Sequence, residues 1–162
     1  MMKKYGLTYL FFILLAWSYL PLFSFASETI ELSKGQTIYV PAYSHIYIGD
    51  RERPFLLTIT VSIRNVNLNH PITLTGVDYY ETQGKFLKKM VDNPITLNPL
   101  ESKRYIIAEK DNTGGSGANF IVEWRSEKAV NPPIVEAIMI GAKSGQGISF
   151  TSRGQVLVPL EK

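Results

Sequence analysis

The sequence predicts an all-β fold, an antiparallel β-sandwich of immunoglobulin-like type with about nine strands. Two observations lead to this prediction. Short stretches of alternating apolar and polar residues recur along residues 27–162, and clusters of glycine, proline or asparagine separate them at intervals of roughly 8–15 residues. No stretch of this region has the apolar spacing of an amphipathic helix. A small closed barrel is the alternative architecture.

Each expected strand lies between two turn signals. The clearest is Phe55–Asn65, in which apolar and polar residues alternate, so that one face is apolar and the other is polar and faces solvent. Ile72–Glu81 and Phe86–Val91 are expected to form a hairpin, with Gly84 supplying the positive φ of its turn. The remaining expected strands are Tyr39–Ile48, Ile95–Leu97, Lys103–Lys110, Ala118–Arg125, Ile134–Ala142, Ile148–Ser152 and Gln155–Pro159.

The beginning of the chain predicts export. Two lysines precede an apolar run, Leu7–Phe25, and the tripeptide Ser24–Ala26 has small residues at both ends. This order is that of a cleaved secretory signal peptide, whose apolar run forms a helix. An uncleaved anchor is the alternative, because about 19 apolar residues can span a bilayer. We therefore expect a signal peptide, 1–26, and a single periplasmic or extracellular domain, 27–162, tethered to the membrane only if the leader stays attached.

The composition excludes several classes of protein. The chain has no cysteine, which excludes disulfides, thiolate nucleophiles, zinc-ribbon sites, iron–sulfur clusters and a lipid anchor on cysteine. Its net charge is +3, and removal of the two lysines of the leader leaves +1. A near-neutral domain with scattered charges lacks the concentrated positive charge that nucleic acid binding needs. No metal ion or other cofactor is expected.

The best candidate for a binding surface is the expected strand Tyr39–Ile48. The side chains on one side of a continuous strand would be Tyr39, Pro41, Tyr43, His45 and Tyr47. Such a row offers flat rings and hydroxyl groups that stack on sugars or on peptide side chains. Tyr79 or Tyr80 would extend this surface from a neighbouring strand. The alternative is ordinary cross-strand packing, with the proline marking an edge or a bulge.

A glycine-rich loop, Asp111–Gly117, is the second candidate, because its glycines leave backbone N–H groups free to wrap a ligand. The candidate ligand residues are Asp111, Asn112, Gly115 and Ser116. A calcium site would need more acidic residues, and a phosphate-binding loop would lead into a helix. A flexible connection between two strands is therefore the alternative.

One acidic residue stands out in an apolar segment. Ile134–Ala142 is apolar on both faces apart from Glu136, which predicts a central strand covered on both sides. A buried carboxylate needs an arginine or other hydrogen-bond donors. The candidate partners are Arg64, Arg104, Arg125 and Arg153. This pattern favours a paired structural carboxylate over a catalytic one.

Five sequence blocks together resemble a bacterial family known as domain of unknown function 3124. The blocks are Gly35–Ser44, Val77–Tyr80, Pro94–Pro99, Gly114–Phe120 and Gly147–Gly154. The resemblance covers residues 35–156 and implies a small exported bacterial β protein. It implies no activity and no catalytic residues. Such families often carry lipid anchors, and the absence of cysteine argues against that attachment here.

The leading hypothesis is therefore an exported, non-catalytic interaction module that binds a protein, a peptide or a glycan of the cell envelope. One alternative is an envelope enzyme that uses Glu136 or Asp78 together with an arginine or a histidine; a deep pocket around a carboxylate would favour it. The other is a structural or assembly protein whose edge strands pair with another chain. Membrane contact is expected only through the leader.

Overall fold

The described part of the chain consists of strands joined by turns. The computed structural model describes residues 31–50, 52–143 and 145–159, and these contain twelve β-strands and no helix. These ranges accordingly offer no helix that could cross a membrane. The predicted signal peptide, 1–26, lies outside the described residues, so its helix and its cleavage stay predictions.

The strands form two antiparallel sheets and one separate hairpin. In chain order they are β1 (Ser33–Pro41), β2 (His45–Ile48), β3 (Arg53–Leu56), β4 (Thr58–Arg64), β5 (Ile72–Tyr80), β6 (Phe86–Lys89), β7 (Ile95–Leu97), β8 (Ser102–Ile107), β9 (Asn119–Val130), β10 (Ile134–Lys143), β11 (Gln146–Arg153) and β12 (Gln155–Pro159). The first sheet has the order β12-β1-β9-β5-β6, with β7 also paired to β5, and the second has the order β11-β10-β4-β8. Strands β2 and β3 pair with each other. The antiparallel sandwich is confirmed, with more strands than the sequence predicts.

The core lies between the two sheets, where the inward-pointing side chains of both sheets meet. The largest fully buried side chains are Trp124, Tyr79, Phe120, Leu57, Ile59, Ile63, Ile72, Leu74, Leu97, Ile107, Met139 and Val40. Burying a large apolar side chain stabilises a fold by roughly 1.5–3 kcal/mol. In β9, the alternate residues Phe120, Val122 and Trp124 are all fully buried, so they form the inner face of that strand.

Most of the expected strands are present, with small differences in their bounds. The bounds predicted for β7 and β12 match the structure, and Gly84 has a φ of 81° in the turn between β5 and β6. The long strand expected at Phe55–Asn65 is interrupted at Leu57, which separates β3 from β4. The interruption arises because the Leu57 N–H donates to the carbonyl of Ser44, 2.9 Å away.

The prediction of a single strand over Tyr39–Ile48 is wrong. Strand β1 ends at Pro41, and β2 begins at His45. Between them the chain follows the glycine-rich loop, because the Ser44 N–H donates to the carbonyl of Gly115 at 3.0 Å. The side chains before and after this turn therefore do not share one face.

Strand β10 is central, as predicted, because it pairs with β4 and with β11. The expectation that both of its faces are covered is wrong. Ile134 and Ile140 are 43% and 53% exposed on its outer face. The reason is that the sandwich has two layers, so each sheet covers only the inner face of the other.

Candidate functional site

Two of the predicted tyrosines share the outer face of the first sheet. Tyr39 of β1 lies opposite Ile121 of β9, which in turn lies opposite Asp78 of β5. Tyr80 follows Asp78 by two residues and therefore points to the same side, and it lies opposite Asn119 of β9. All five side chains are half-buried. We call these five residues the tyrosine face.

A β-bulge decides which residues of β5 reach this face. The register against β9 shifts between Leu74 and Gly76. Before the bulge, even-numbered residues such as Leu74 point into the core, and after it Tyr79 does. Tyr80 and Asp78 consequently point outward.

The two rings of the tyrosine face are separated. Strand spacing of about 4.8 Å and a rise of about 3.4 Å per residue place the Cα atoms of Tyr39 and Tyr80 about 12 Å apart. The Tyr80 ring contacts Phe86 of β6 edge to face, with 5.8 Å between the ring centroids. This contact limits the orientations that the Tyr80 ring can adopt.

Asp78 supplies an acceptor between the rings. Its Oδ1 atom is enclosed and has no hydrogen-bond partner in the described part of the chain. Lys89 lies opposite Asp78 on β6, but no ion pair joins them among the described residues. An enclosed carboxylate oxygen without a donor costs free energy. Asp78 as a whole is only half-buried, so a hydroxyl group of a ligand would donate to the accessible side of its carboxylate.

The structure places the other predicted aromatic residues elsewhere. Tyr43 packs against the core, and its ring lies 5.6 Å from that of Phe150 in the second sheet. His45 and Tyr47 contact each other on the β2–β3 hairpin, with 3.3 Å between His45 Nε2 and the Tyr47 hydroxyl. Binding roles for these three residues stay predictions, and they do not belong to the tyrosine face.

The backbone of the glycine-rich loop is bound to the protein itself. The Gly115 N–H donates to Ser44 Oγ at 2.9 Å, and the Gly117 N–H donates to Thr82 Oγ1 at 3.0 Å. The Thr82 N–H donates to the carbonyl of Gly114 at 2.9 Å. Two of the loop N–H groups are therefore already engaged by side chains of neighbouring segments.

Two of the candidate ligand residues of this loop, Asp111 and Asn112, have local partners, the first through its side chain and the second through its backbone carbonyl. The Asp111 carboxylate accepts a hydrogen bond from the Thr113 hydroxyl at 2.6 Å. The carbonyl of Asn112 accepts one from Ser44 Oγ at 3.2 Å, and Ser116 is half-buried. Ligand binding by these loop residues stays a prediction.

The glycine-rich loop covers Tyr79, whose burial was not predicted from the sequence. A Cβ atom at Gly114 would lie 1.8 Å from the Tyr79 hydroxyl oxygen, so no side chain fits there. The hydroxyl is buried without a hydrogen-bond partner among the described residues. Burial, with a smaller contribution from the charge of Asp111, raises the pKa of Tyr79 to about 12. Stacking on Phe120, with ring centroids 4.7 Å apart, holds the ring in place.

Glu136 has the arginine partner that the sequence predicts. Its Oε1 atom lies 3.5 Å from a terminal nitrogen of Arg64, with the two side chains 21% and 49% exposed respectively. The four described surface depressions of 240–360 Å³ include neither Glu136 nor Asp78 in their lining. In the described ranges, no three His, Asp or Glu residues are grouped so that they could hold a metal ion.

These features define a small all-β sandwich whose candidate sites are the outer faces of its sheets. The chain belongs to the family described as "Protein of unknown function (DUF3124)", whose model matches residues 35–157. The resemblance carried by the five sequence blocks is thereby confirmed. No curated protein matches the chain.

Among solved structures, the chain is similar to "Crystal Structure of Thermotoga maritima 1070", with 12% sequence identity and a TM-score of 0.43. The similarity covers 74% of this chain and 92% of that one.

Proposed function

We propose that this protein is a non-catalytic binding module that holds a glycan on the tyrosine face. One observation carries the proposal: Asp78, a half-buried carboxylate that makes no ion pair within the described residues, lies between the positions of two half-buried tyrosines on one outer sheet face. Sugars need both features, because their C–H faces stack on aromatic rings while their hydroxyl groups need acceptors.

The composition of the face favours a glycan over a protein partner. The core of a protein–protein interface is apolar and depleted in charge. Here a carboxylate, Asp78, and an amide, Asn119, alternate with the rings. The separation of about 12 Å between Tyr39 and Tyr80 prevents one sugar ring from stacking on both. The ligand would therefore be an oligosaccharide or a polysaccharide strand that spans several sugar units.

The predicted export of the chain agrees with this ligand. A signal peptide would deliver the domain to the envelope or the medium, where polysaccharides are exposed. The glycan proposal does not depend on cleavage of the leader, because the tyrosine face lies entirely within the described strands.

The experiment is a polysaccharide binding screen followed by calorimetric titration of each ligand that binds. Tyr39→Ala/Tyr80→Ala should abolish binding, and Asp78→Asn should weaken it about tenfold by removing a charge-assisted hydrogen bond. Tyr47→Ala is the matched control, since Tyr47 is an exposed tyrosine off the face. Equal loss of binding in the control, or full binding by the double variant, would contradict the proposal.

A second candidate is assembly through β12, the edge strand of the first sheet. Val156, Leu157 and Val158 are 49%, 55% and 56% exposed there. An apolar edge strand with unpaired backbone groups is a template for another strand. Sedimentation should show association that rises with concentration and that Leu157→Lys reduces. Association that is unchanged in this variant would exclude the edge.

A further inference from the structure

The outer face of the second sheet places cationic and aliphatic side chains side by side. Cross-strand partners form one row across β8, β4, β10 and β11, which consists of Arg104, Ser62, Glu136 and Arg153. The next row consists of Ile106, Thr60, Ile138 and Thr151. Arg64 lies beyond the first row, and Ile140 lies beyond the second.

Three of the cations and three hydroxyl groups surround a depression of about 360 Å³. Its lining consists of Thr60, Ser62, Arg64, Ser102, Lys103, Arg104 and Ile138. No acidic residue belongs to this lining. Arginine presents a planar set of donors that matches the oxygens of a phosphate, and hydroxyl groups add single donors.

The cations of this face are only partly neutralised. Arg64 is oriented by two contacts, since its Nε donates to Ser62 Oγ at 3.1 Å and its terminal nitrogen lies 3.5 Å from Glu136. Arg104 and Arg153 make no ion pair within the described residues. One carboxylate, that of Glu136, therefore faces three arginines on the outer face of a domain that is close to neutral as a whole.

The aliphatic residues of the same face are exposed to water. Ile106 is 51% exposed and Ile140 is 53% exposed. They belong to the outer side of the sheet and contribute nothing to the core. A surface that combines arginine and lysine with exposed aliphatic side chains is typical of proteins that lie on anionic membranes, where the cations meet lipid phosphates.

We propose that this face binds the surface of an anionic phospholipid membrane. Arg64 and Arg104 contact lipid phosphates around the depression, which Lys103 also lines, and Arg153 adds charge at the far end of the row. Ile106 and Ile140 enter the boundary between headgroups and acyl chains. Charge complementarity argues against a second copy of this chain as the occupant, because the two arginine rows would then face each other. The contact is independent of the glycan proposal and additional to any contact by the leader.

The test uses a chain that begins at Ser27, since the apolar leader would itself enter vesicles. All twelve strands and the buried core lie within 33–159, so this chain keeps the complete described fold. Cosedimentation with phosphatidylcholine vesicles, with and without phosphatidylglycerol, measures partition. Binding is expected only to the anionic vesicles. Near an anionic surface each cation contributes about fivefold, so Arg64→Gln/Arg104→Gln/Arg153→Gln should reduce partition about 100-fold.

Matched variants distinguish binding through this face from a nonspecific attraction between the charged domain and the anionic vesicles. Lys88→Gln/Lys89→Gln, which removes two exposed lysines from β6 of the other sheet, should change partition less than about threefold. Glu136→Gln should raise it about fivefold, an effect that loss of structure would not produce. Ile106→Ser/Ile140→Ser should lower partition while leaving its dependence on salt unchanged.

Five results would overturn the proposal. The first is binding to neutral vesicles that is as strong as binding to anionic vesicles. The second is a change of partition in the triple arginine variant that is no larger than the change in the lysine control. The third is weaker binding to anionic vesicles after Glu136→Gln. The fourth is loss of vesicle binding on addition of inorganic phosphate at constant ionic strength, which would assign the depression to small phosphate compounds. Dimerisation that Ile106→Ser/Ile140→Ser abolishes would assign the face to a second copy instead.

Discussion

Replacing Gly114 by alanine tests whether the glycine-rich loop is a packed cover over Tyr79. The added Cβ atom would lie 1.8 Å from the Tyr79 hydroxyl oxygen, 2.6 Å from its Cζ atom and 2.8 Å from Ala118 Cβ. All three distances are far below van der Waals contact, so either the ring or the loop must move. The ring cannot tilt freely, because it stacks on Phe120.

The expected loss of stability follows from these contacts. Overpacking a close-packed site typically lowers the free energy of unfolding by about 1–3 kcal/mol. We expect about 3 kcal/mol at Gly114, because the added Cβ atom would clash with three atoms at once. Tyr79→Phe alone should be neutral or slightly stabilising, since the hydroxyl that it removes is buried without a hydrogen bond. In the Tyr79→Phe background the closest clash is gone, so Gly114→Ala should cost at least about 1 kcal/mol less there.

Urea unfolding of the four proteins of this double-mutant cycle measures both quantities. Gly147→Ala is the control, because a Cβ atom at Gly147 meets no atom within 4 Å and should change stability by less than about 1 kcal/mol. A cost at Gly114 no larger than at Gly147 would refute the packed cover. Equal costs in the tyrosine and phenylalanine backgrounds would show that the hydroxyl is not what excludes a side chain.

Three further predictions concern Trp124, the pH dependence contributed by Tyr79, and the contrast between Tyr43 and Tyr47. Trp124→Ala should lower the free energy of unfolding by about 3–5 kcal/mol in urea titrations, because it leaves a large cavity between the sheets, and a near-neutral result would contradict the strand alternation. Because the pKa of Tyr79 is raised from 10.0 to about 12, its contribution to stability is complete below pH 10 and is lost as the pH rises toward 12. In chemical denaturation at increasing pH, Tyr79→Phe should therefore lose less stability than the unsubstituted protein; a smaller loss remains because burial also raises the pKa of Tyr105. Tyr43→Ala should cost about 1–2 kcal/mol through its contacts with the core and Phe150. Tyr47→Ala should cost less than about 0.5 kcal/mol in the same measurement, and equal costs would place both tyrosines in similar surroundings.

The fold could be predicted from the sequence wherever a local pattern determines it. Alternation and turn residues fix the existence of most strands, and the apolar period of β9 fixes which of its faces is buried. The break after Pro41 could not be predicted in this way. It depends on hydrogen bonds between Ser44 and Gly115, which are 71 residues apart. The alternation of apolar and polar residues continues through the turn between β1 and β2, so the sequence predicts one strand where the structure has two.

The candidate site was predictable only in part for a related reason. Residue types indicated tyrosines as ligand-binding groups, but sheet order decides which of them are neighbours. Tyr39 and Tyr80 come together because β9 lies between β1 and β5, an arrangement that connects segments far apart along the chain. The cationic face was missed because its arginines lie on different strands and form no cluster in the sequence.

The bulge in β5 lets this strand differ in length at one point without exchanging its two faces. The residues on either side of Thr75 lie opposite adjacent residues of β9, so Thr75 is the extra residue. Deleting Thr75 would therefore leave a regular ladder in which Tyr79 still points into the core, while Asp78 and Tyr80 still point outward. Relatives of this protein that lack the extra residue are accordingly expected to present the same outer face wherever the Asp-Tyr-Tyr sequence is unchanged.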